Sequence, residues 1–205
     1  MSNPSPLDES RSGPPQVAAV SGSLRDESVT RAALDRALEA VEAAGGDAEL
    51  LDLRDYDLPA FDPDVDDAEA GDAAEFTREI READAVLLGT PMYHGSYSSV
   101  LKTALDYCGF DEFEHKTVGL LAVSGGNFPI TALEHLRSVC RALDAWVLPH
   151  QAAVPRSHSS VRDGRFTDER LEMRVAELGT EIVDYAYIKP CPPTPESEEN
   201  VGAVE

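Results

Sequence analysis

Ser21-Gly22-Ser23-Leu24-Arg25-Asp26-Glu27-Ser28 brings three hydroxyls, one glycine and one arginine into eight residues. An apolar run, residues 17–20, leads into it, and the helical spacing of Val29, Ala33, Ala37 and Val41, with Leu34 and Leu38 beside them, leads out. Strand, tight loop and helix in that order put unpaired backbone N–H groups and the positive end of a helix dipole at the turn. Gly22 allows a sharp turn and close backbone approach to a ligand. Ser21, Ser23 and Ser28 can donate from hydroxyls, and Arg25 from a charged fork. The chemistry this suits is phosphate binding. Its competitor is a serine-rich turn with Ser28 as a plain helix cap and Arg25 on the surface. Neither the nucleoside-triphosphate loop G-x-x-x-x-G-K-[ST] nor the dinucleotide pattern G-x-G-x-x-G occurs here.

A second loop, Pro91-Met92-Tyr93-His94-Gly95-Ser96-Tyr97-Ser98, follows the apolar run 85–90 and precedes helical spacing at Val100, Leu101, Ala104, Leu105 and Cys108. Two tyrosines and a thioether can lie against a flat conjugated ring, and backbone amides in a loop shaped by proline and glycine can meet its polar edge. The tyrosines could equally pack between loop and subunit surface. A third loop, Ser124-Gly125-Gly126-Asn127-Phe128, follows the run 117–123 and offers close backbone approach. Phosphate at one end and a planar ring at the other describe flavin mononucleotide (FMN). His94, with a neutral-range imidazole, is the one candidate for proton delivery to substrate or for a bond to a flavin carbonyl.

The elements that position these loops alternate. Strands at 17–20, 48–53, 85–90, 117–123 and 146–148 are separated or followed by helices at 28–44, 76–83, 100–108, 133–143 and 171–185, with Ala152, Ala153 and Val154 extending the last strand or lying at an edge. Three consecutive runs apolar enough to be buried on both faces imply a parallel sheet covered on each side. The expected fold is a three-layer α/β sandwich with five parallel strands in order 2-1-3-4-5, whose ligand crevice lies at the carboxyl ends of the strands where the order reverses. All three loops follow strands at that edge. Residues 1–15 and 189–205 read as tails, 16–188 as one domain, 59–72 as an acidic loop and 155–167 as a polar one.

The chain has 205 residues, 39 acidic against 17 basic, for a formal net charge of −22. Such a surface disfavours nucleic acid and acidic membranes. No window approaches a membrane span, so the expectation is a cytoplasmic protein. With only Lys102, Lys116 and Lys189 as lysines, the composition is that of proteins from salt-loving archaea. Cys108, Cys140 and Cys191 are too few for a disulfide framework, and the first two read as core residues. His94, His115, His135, His150 and His158 show none of the usual metal-ligand spacings, and no metal site is expected.

The chain resembles the NAD(P)H-dependent FMN reductase family, which has a flavodoxin-like fold and includes quinone and azo-dye reductases. G-S-x-R-x-x-S is matched at Gly22, Ser23, Arg25 and Ser28. P-x-Y-x-G-S followed by L-K-x-x-x-D is matched at Pro91, Tyr93, Gly95, Ser96, Leu101, Lys102 and Asp106. His94 stands where the family commonly has asparagine, and Ser98 where it commonly has a second proline. The resemblance implies phosphate contacts from Ser21, Ser23, Arg25 and Ser28, and flavin contacts from Pro91, Met92, Tyr93, His94, Gly95 and Ser96, with Ser124, Gly125 and Gly126 as the third flavin-side loop. It implies an enzyme that takes hydride from NADPH or NADH and passes electrons to a quinone, azo compound, free flavin or similar small acceptor, as a homodimer or tetramer. The alternatives are an FMN-binding electron carrier and a non-catalytic flavin-binding sensor or interaction module. Lys102 and Asp106, four apart on a helix, read as a structural ion pair.

Overall fold

The computed structural model describes residues 13–188; both predicted tails, apart from residues 13–15, lie outside that range. Its elements in chain order are β1 (Gln16–Ser21), α1 (Val29–Ala43), β2 (Asp47–Asp52), α2 (Ala73–Glu82), β3 (Ala85–Pro91), α3 (Ser99–Asp106), α4 (Phe110–Phe113), β4 (Thr117–Val123), α5 (Ile130–Ala142), β5 (Trp146–Val154), α6 (Ser157–Ser160), β6 (Val161–Arg162), β7 (Arg165–Phe166) and α7 (Glu169–Asp184). β1 to β5 form one parallel sheet in the order β2-β1-β3-β4-β5.

Alternation along the strands sorts side chains onto two cores. Ala18, Val20, Val86, Leu88, Leu120 and Ala122 join Phe76 and Ile80 of α2, Leu101 and Leu105 of α3, and Leu133 and Leu136 of α5 on one face. Val17, Ala19, Leu87 and Leu121 join Leu34 and Ala37 of α1 and Val175, Leu178 and Ile182 of α7 on the other. Every residue of β3 and β4 is buried, as continuous apolar runs in a doubly covered sheet require. The chain leaves β1 for β2 on one side and returns to β3 on the other, so the crevice at which the order reverses lies between the loops after β1 and β3.

Residues 152–154 extend the last strand as one of the two expected arrangements has it: 146–154 is one edge strand, in which the register slips between Val118 and Leu120 of β4 and the extra residues around Pro149 are taken up as an irregularity. One reading needs correction. Residues 155–167 are not plain loop: they hold α6 and the β6–β7 hairpin, closed by Asp163 and Gly164 at φ 50° and 73°. Asp-Gly with two positive φ values is the favoured two-residue hairpin turn. The acidic segment 59–72 is loop apart from a 3-10 turn, Asp67–Glu69, capped by the Asp66 carboxylate on the Ala68 N–H at 3.0 Å.

Burial holds Cys108 and Cys140 as thiols in the core, raising both pKa values, that of Cys140 to about 12. The net charge of −22 makes self-repulsion a general cost of compactness. The unfolding midpoint is therefore expected to rise between roughly 0.1 M and 2 M potassium chloride as screening shortens to a few ångströms. A flat or falling midpoint in a thermal melt series would count against a salt-adapted surface.

Candidate functional site

Loop one, residues 22–28, starts at the end of β1, where Ser21 is paired with Asp52 of β2 and Gly89 of β3. The Gly22 N–H donates to the Gly89 carbonyl at 2.9 Å. A Cβ at Gly22 would stand 2.8 Å from Leu101 Cβ and 3.0 Å from Ser98 Oγ, so only glycine lets this turn lie against α3. Ser28, at φ −80° and ψ 114°, caps α1 with its Oγ accepting from the Arg31 N–H at 3.1 Å, which leaves the hydroxyl proton available. Ser23 is buried and accepts weakly from the Arg25 N–H at 3.4 Å, while Arg25 itself is exposed. Ser21, the last residue of β1, is buried, and its hydroxyl has no hydrogen-bond partner among the described residues.

Around this loop a chain of strongly negative charge gathers guanidinium groups. Asp52 is 3 % exposed and is gripped by Arg54 through Nε at 3.0 Å and Nη2 at 2.5 Å, with Arg31 Nη1 at 3.4 Å. Arg54 Nη1 also donates to the Arg25 carbonyl at 3.3 Å, tying loop one to the segment after β2. Burial alone would raise the Asp52 pKa; the hydrogen bonds and charge of Arg54, helped by Arg31, hold it below the ordinary carboxylate range. Two arginines thus compensate one buried carboxylate beside the predicted phosphate turn, and Asp26 and Asp55 also act on Arg54. The sequence reading missed Asp52 and Arg54, whose only signal is their place at the carboxyl end of β2, and Arg31, in the first turn of α1. A cavity of about 540 Å³ runs beside loop one, lined by Leu24, Arg54, Tyr56, Leu58, Val100 and Thr103; it includes no residue of the second hairpin or of the third loop.

Loop two is a β-hairpin in miniature. The Tyr93 N–H donates to the Ser96 carbonyl and the Ser96 N–H to the Tyr93 carbonyl, each at 3.0 Å, around His94 and Gly95 at φ 51° and 84°. Such a turn needs positive φ at both central positions, which is why Asn-Gly is favoured there. Histidine, like asparagine, is enriched among non-glycine residues that adopt this conformation. The departure at His94 is thus explained by the backbone, and its ring is left exposed. Pro91 is buried at the end of β3, and the Met92 N–H donates to the Val123 carbonyl at 2.7 Å. α5 braces the hairpin from outside: Thr131 Oγ1 reaches Met92 Sδ at 3.5 Å, and Ser96 Oγ lies 3.0 Å from His135 Nδ1. Tyr93 is 47 % exposed and Tyr97 half-buried.

Ser98 ties loop one to loop two. Its Oγ donates to the Gly22 carbonyl at 2.7 Å and accepts from the Leu101 N–H at 3.2 Å as the cap of α3, while its N–H donates to Thr90 Oγ1 at 2.9 Å. Its backbone, φ −68° and ψ 150°, is one that proline adopts, so serine and the family's proline fit the same chain path. Ser98→Ala leaves two buried backbone groups without partners and is expected to destabilise by about 2–3 kcal/mol in a denaturant titration. A loss below about 0.5 kcal/mol would mean that water or relaxation satisfies them.

Loop three is fastened to the segment after β5. The Ser124 N–H donates to the Val154 carbonyl at 2.9 Å, the Arg156 N–H to the Gly126 carbonyl at 2.8 Å, and the Ser157 N–H to the Ser124 carbonyl at 2.9 Å. Ser124 Oγ donates to the Gly126 carbonyl at 3.0 Å, so this hydroxyl shapes the loop. Gly125 and Gly126 are exposed; a Cβ at Gly126 would meet nothing within 4 Å, and one at Gly125 only His158 Nε2 at 3.7 Å. Phe128 is 77 % exposed at the rim. The segment 155–158 was missed as a supporting wall because its polarity disguised its structure. Lys102 and Asp106 do form an exposed (i, i+4) ion pair on α3.

Hydrogen bonds therefore run from loop one through Ser98 to loop two, through Met92 and Val123 to loop three, and through Gly126 to the wall after β5. These residues suit FMN: anion donors stand at one end, and an open backbone rim with exposed aromatic and glycine groups at the other. A five-stranded parallel sheet with this order and this loop edge defines a flavodoxin-like protein. Residues 15–159 match the family model for NADPH-dependent FMN reductase, and the chain belongs to that family. Flavin-dependent NAD(P)H oxidoreduction is the chemistry of the family. The FMN-dependent NADPH-azoreductase of Staphylococcus haemolyticus is 34 % identical over 152 residues, covering 70 % of this chain and 80 % of the relative. That of Staphylococcus aureus strain USA300 matches to the same extent, 34 % over 152 residues. Among solved structures, FerB, a flavoenzyme NAD(P)H:(acceptor) oxidoreductase from Paracoccus denitrificans, superposes with a TM-score of 0.71 at 23 % identity, over 84 % of this chain and 97 % of that one. A flavodoxin from the domain Archaea superposes at 0.57 and 13 % identity, covering 83 % and 97 %, which is a likeness of fold.

Proposed function

We propose that this chain binds FMN across the three loops and uses NADPH, or NADH, to reduce a small acceptor of the azo or quinone class. The observation that carries the reading is the unbroken hydrogen-bonded run of loops one, two and three along the carboxyl edge of the sheet. Ser23, Arg25, Ser28 and the first amides of α1 hold the phosphate. Pro91, Met92, Tyr93, Gly95 and Ser96 form one side of the ring site, with His94 at the turn, and Gly125 and Gly126 form the other. Ser124 acts by holding its own loop closed. Bound FMN supplies a ring that accepts hydride from the nicotinamide and returns two electrons to the acceptor. The side chains position and shield, and none is required as a nucleophile. The relatives' azoreductase activity supports an acceptor of that chemical class.

Anaerobic mixing of FMN-loaded protein with NADPH or NADH tests this. The flavin absorbance is expected to bleach within seconds and to recover on addition of a quinone or azo dye. Loaded protein that bleaches only with a protein donor would instead be an electron carrier.

A further inference from the structure

Outside the loop edge, one cluster brings metal-ligating atoms together from elements far apart in sequence. His150 of β5 faces Glu177 and Glu181, which lie one turn apart on α7. Nδ1 of His150 is 3.8 Å from a Glu177 oxygen and 3.9 Å from a Glu181 oxygen, and one donor atom from each residue lies within 4.8 Å of the others. The imidazole is largely buried, 13 % exposed, and its Nε2 lies 3.0 Å from the Arg174 carbonyl. A carbonyl only accepts, so Nε2 carries the hydrogen, which leaves Nδ1 to turn its lone pair toward the two carboxylates. That is how a protein usually orients a ligating histidine: the far ring nitrogen is bonded to a backbone carbonyl.

We propose that His150, Glu177 and Glu181 bind one divalent transition cation of the zinc class. At 3.8 and 3.9 Å the Nδ1 to carboxylate separations are too long for hydrogen bonds, so a proton does not bridge them well. A tetrahedral ion with bonds of about 2.1 Å holds neighbouring donors about 3.4 Å apart, so the glutamate oxygens close by about half an ångström on Nδ1 and by up to about 1.4 Å on each other to complete the site. One nitrogen and two carboxylate oxygens select zinc, cobalt or nickel over magnesium and calcium, and leave a fourth position for water on the exposed side of Glu177. The cation would pin the irregular edge strand to the closing helix. The two carboxylates follow His150 by 27 and 31 residues, which is why histidine spacing alone gives no hint of it.

The test uses untagged full-length protein stripped with a chelator, then titrated with zinc in potassium chloride containing millimolar magnesium to occupy unspecific carboxylates. One saturable equivalent is expected. At ten times Kd the unfolding midpoint should rise by roughly 3–6 °C, and cobalt should give visible d–d absorption. His150→Ala and Glu181→Gln should each weaken zinc binding at least tenfold. Their melting points in chelator report whether they fold, and the near-isosteric Glu181→Gln decides the matter if His150→Ala does not. Binding that magnesium abolishes, no saturable equivalent, or equal affinity in folded variants would overturn the assignment.

Discussion

Gly179→Ala is expected to lower the unfolding midpoint by roughly 6–12 °C, the effect of losing about 3 kcal/mol in a domain of this size. On an exposed helix the same change would gain about 1 kcal/mol, because glycine is the poorer helix former. Here α7 crosses α1 at Gly179. A Cβ would overlap the Ala37 carbonyl oxygen, stand 2.9 Å from its carbon and lie 3.1 Å from Ala40 Cβ. The obstacle is helix backbone and cannot swing aside. The two helices must separate, and with them Leu34, Val175, Leu178 and Ile182, all buried in the same core. Gly126→Ala, with no atom within 4 Å, is the matched control and should melt with the wild type. Thermal unfolding of both decides it; a Gly179→Ala midpoint within about 2 °C of wild type would mean the helices have room to part.

That close crossing was invisible in the sequence, where Gly179 is one residue in an apolar stripe. What could be read was periodicity. Residues 85–90 and 117–123 announce doubly buried strands by composition alone, and the strand–helix alternation then leaves few ways to close a parallel sheet. The three site loops were legible for the same reason: each begins where such a run stops. What could not be read depends on partners brought in from other elements. Asp52 and Arg54 look like an ordinary strand end until Arg31 and the Arg25 carbonyl come to meet them. Ser98 looked like a departure from a family pattern, yet it makes three hydrogen bonds. Asp163-Gly164 carried a clear hairpin signal, but two-residue strands are too short for alternation to show. Pro149 sits inside the last strand, where an edge position and a slipped register tolerate it.

Arg25→Ala is expected to raise the Kd for FMN by roughly 10–100-fold, since a charge-assisted hydrogen bond to phosphate contributes about 1.5–3 kcal/mol. Arg25 is exposed, so the loss should shrink toward the lower figure in molar salt. Ser21→Ala separates this from a general disturbance of the turn. The Ser21 hydroxyl is buried without a partner and sealed from the loop's outer surface. Replacing it removes an uncompensated desolvation cost, so stability should hold or rise by up to about 1 kcal/mol while FMN affinity stays within about threefold. Quenching of FMN fluorescence in parallel titrations measures both. If Arg25→Ala binds as tightly as wild type, the phosphate rests on Ser23, Ser28 and the amides of α1 alone. If Ser21→Ala loses tenfold, loop one opens in solution to bring that hydroxyl to the ligand, and the closed turn described here is the resting form.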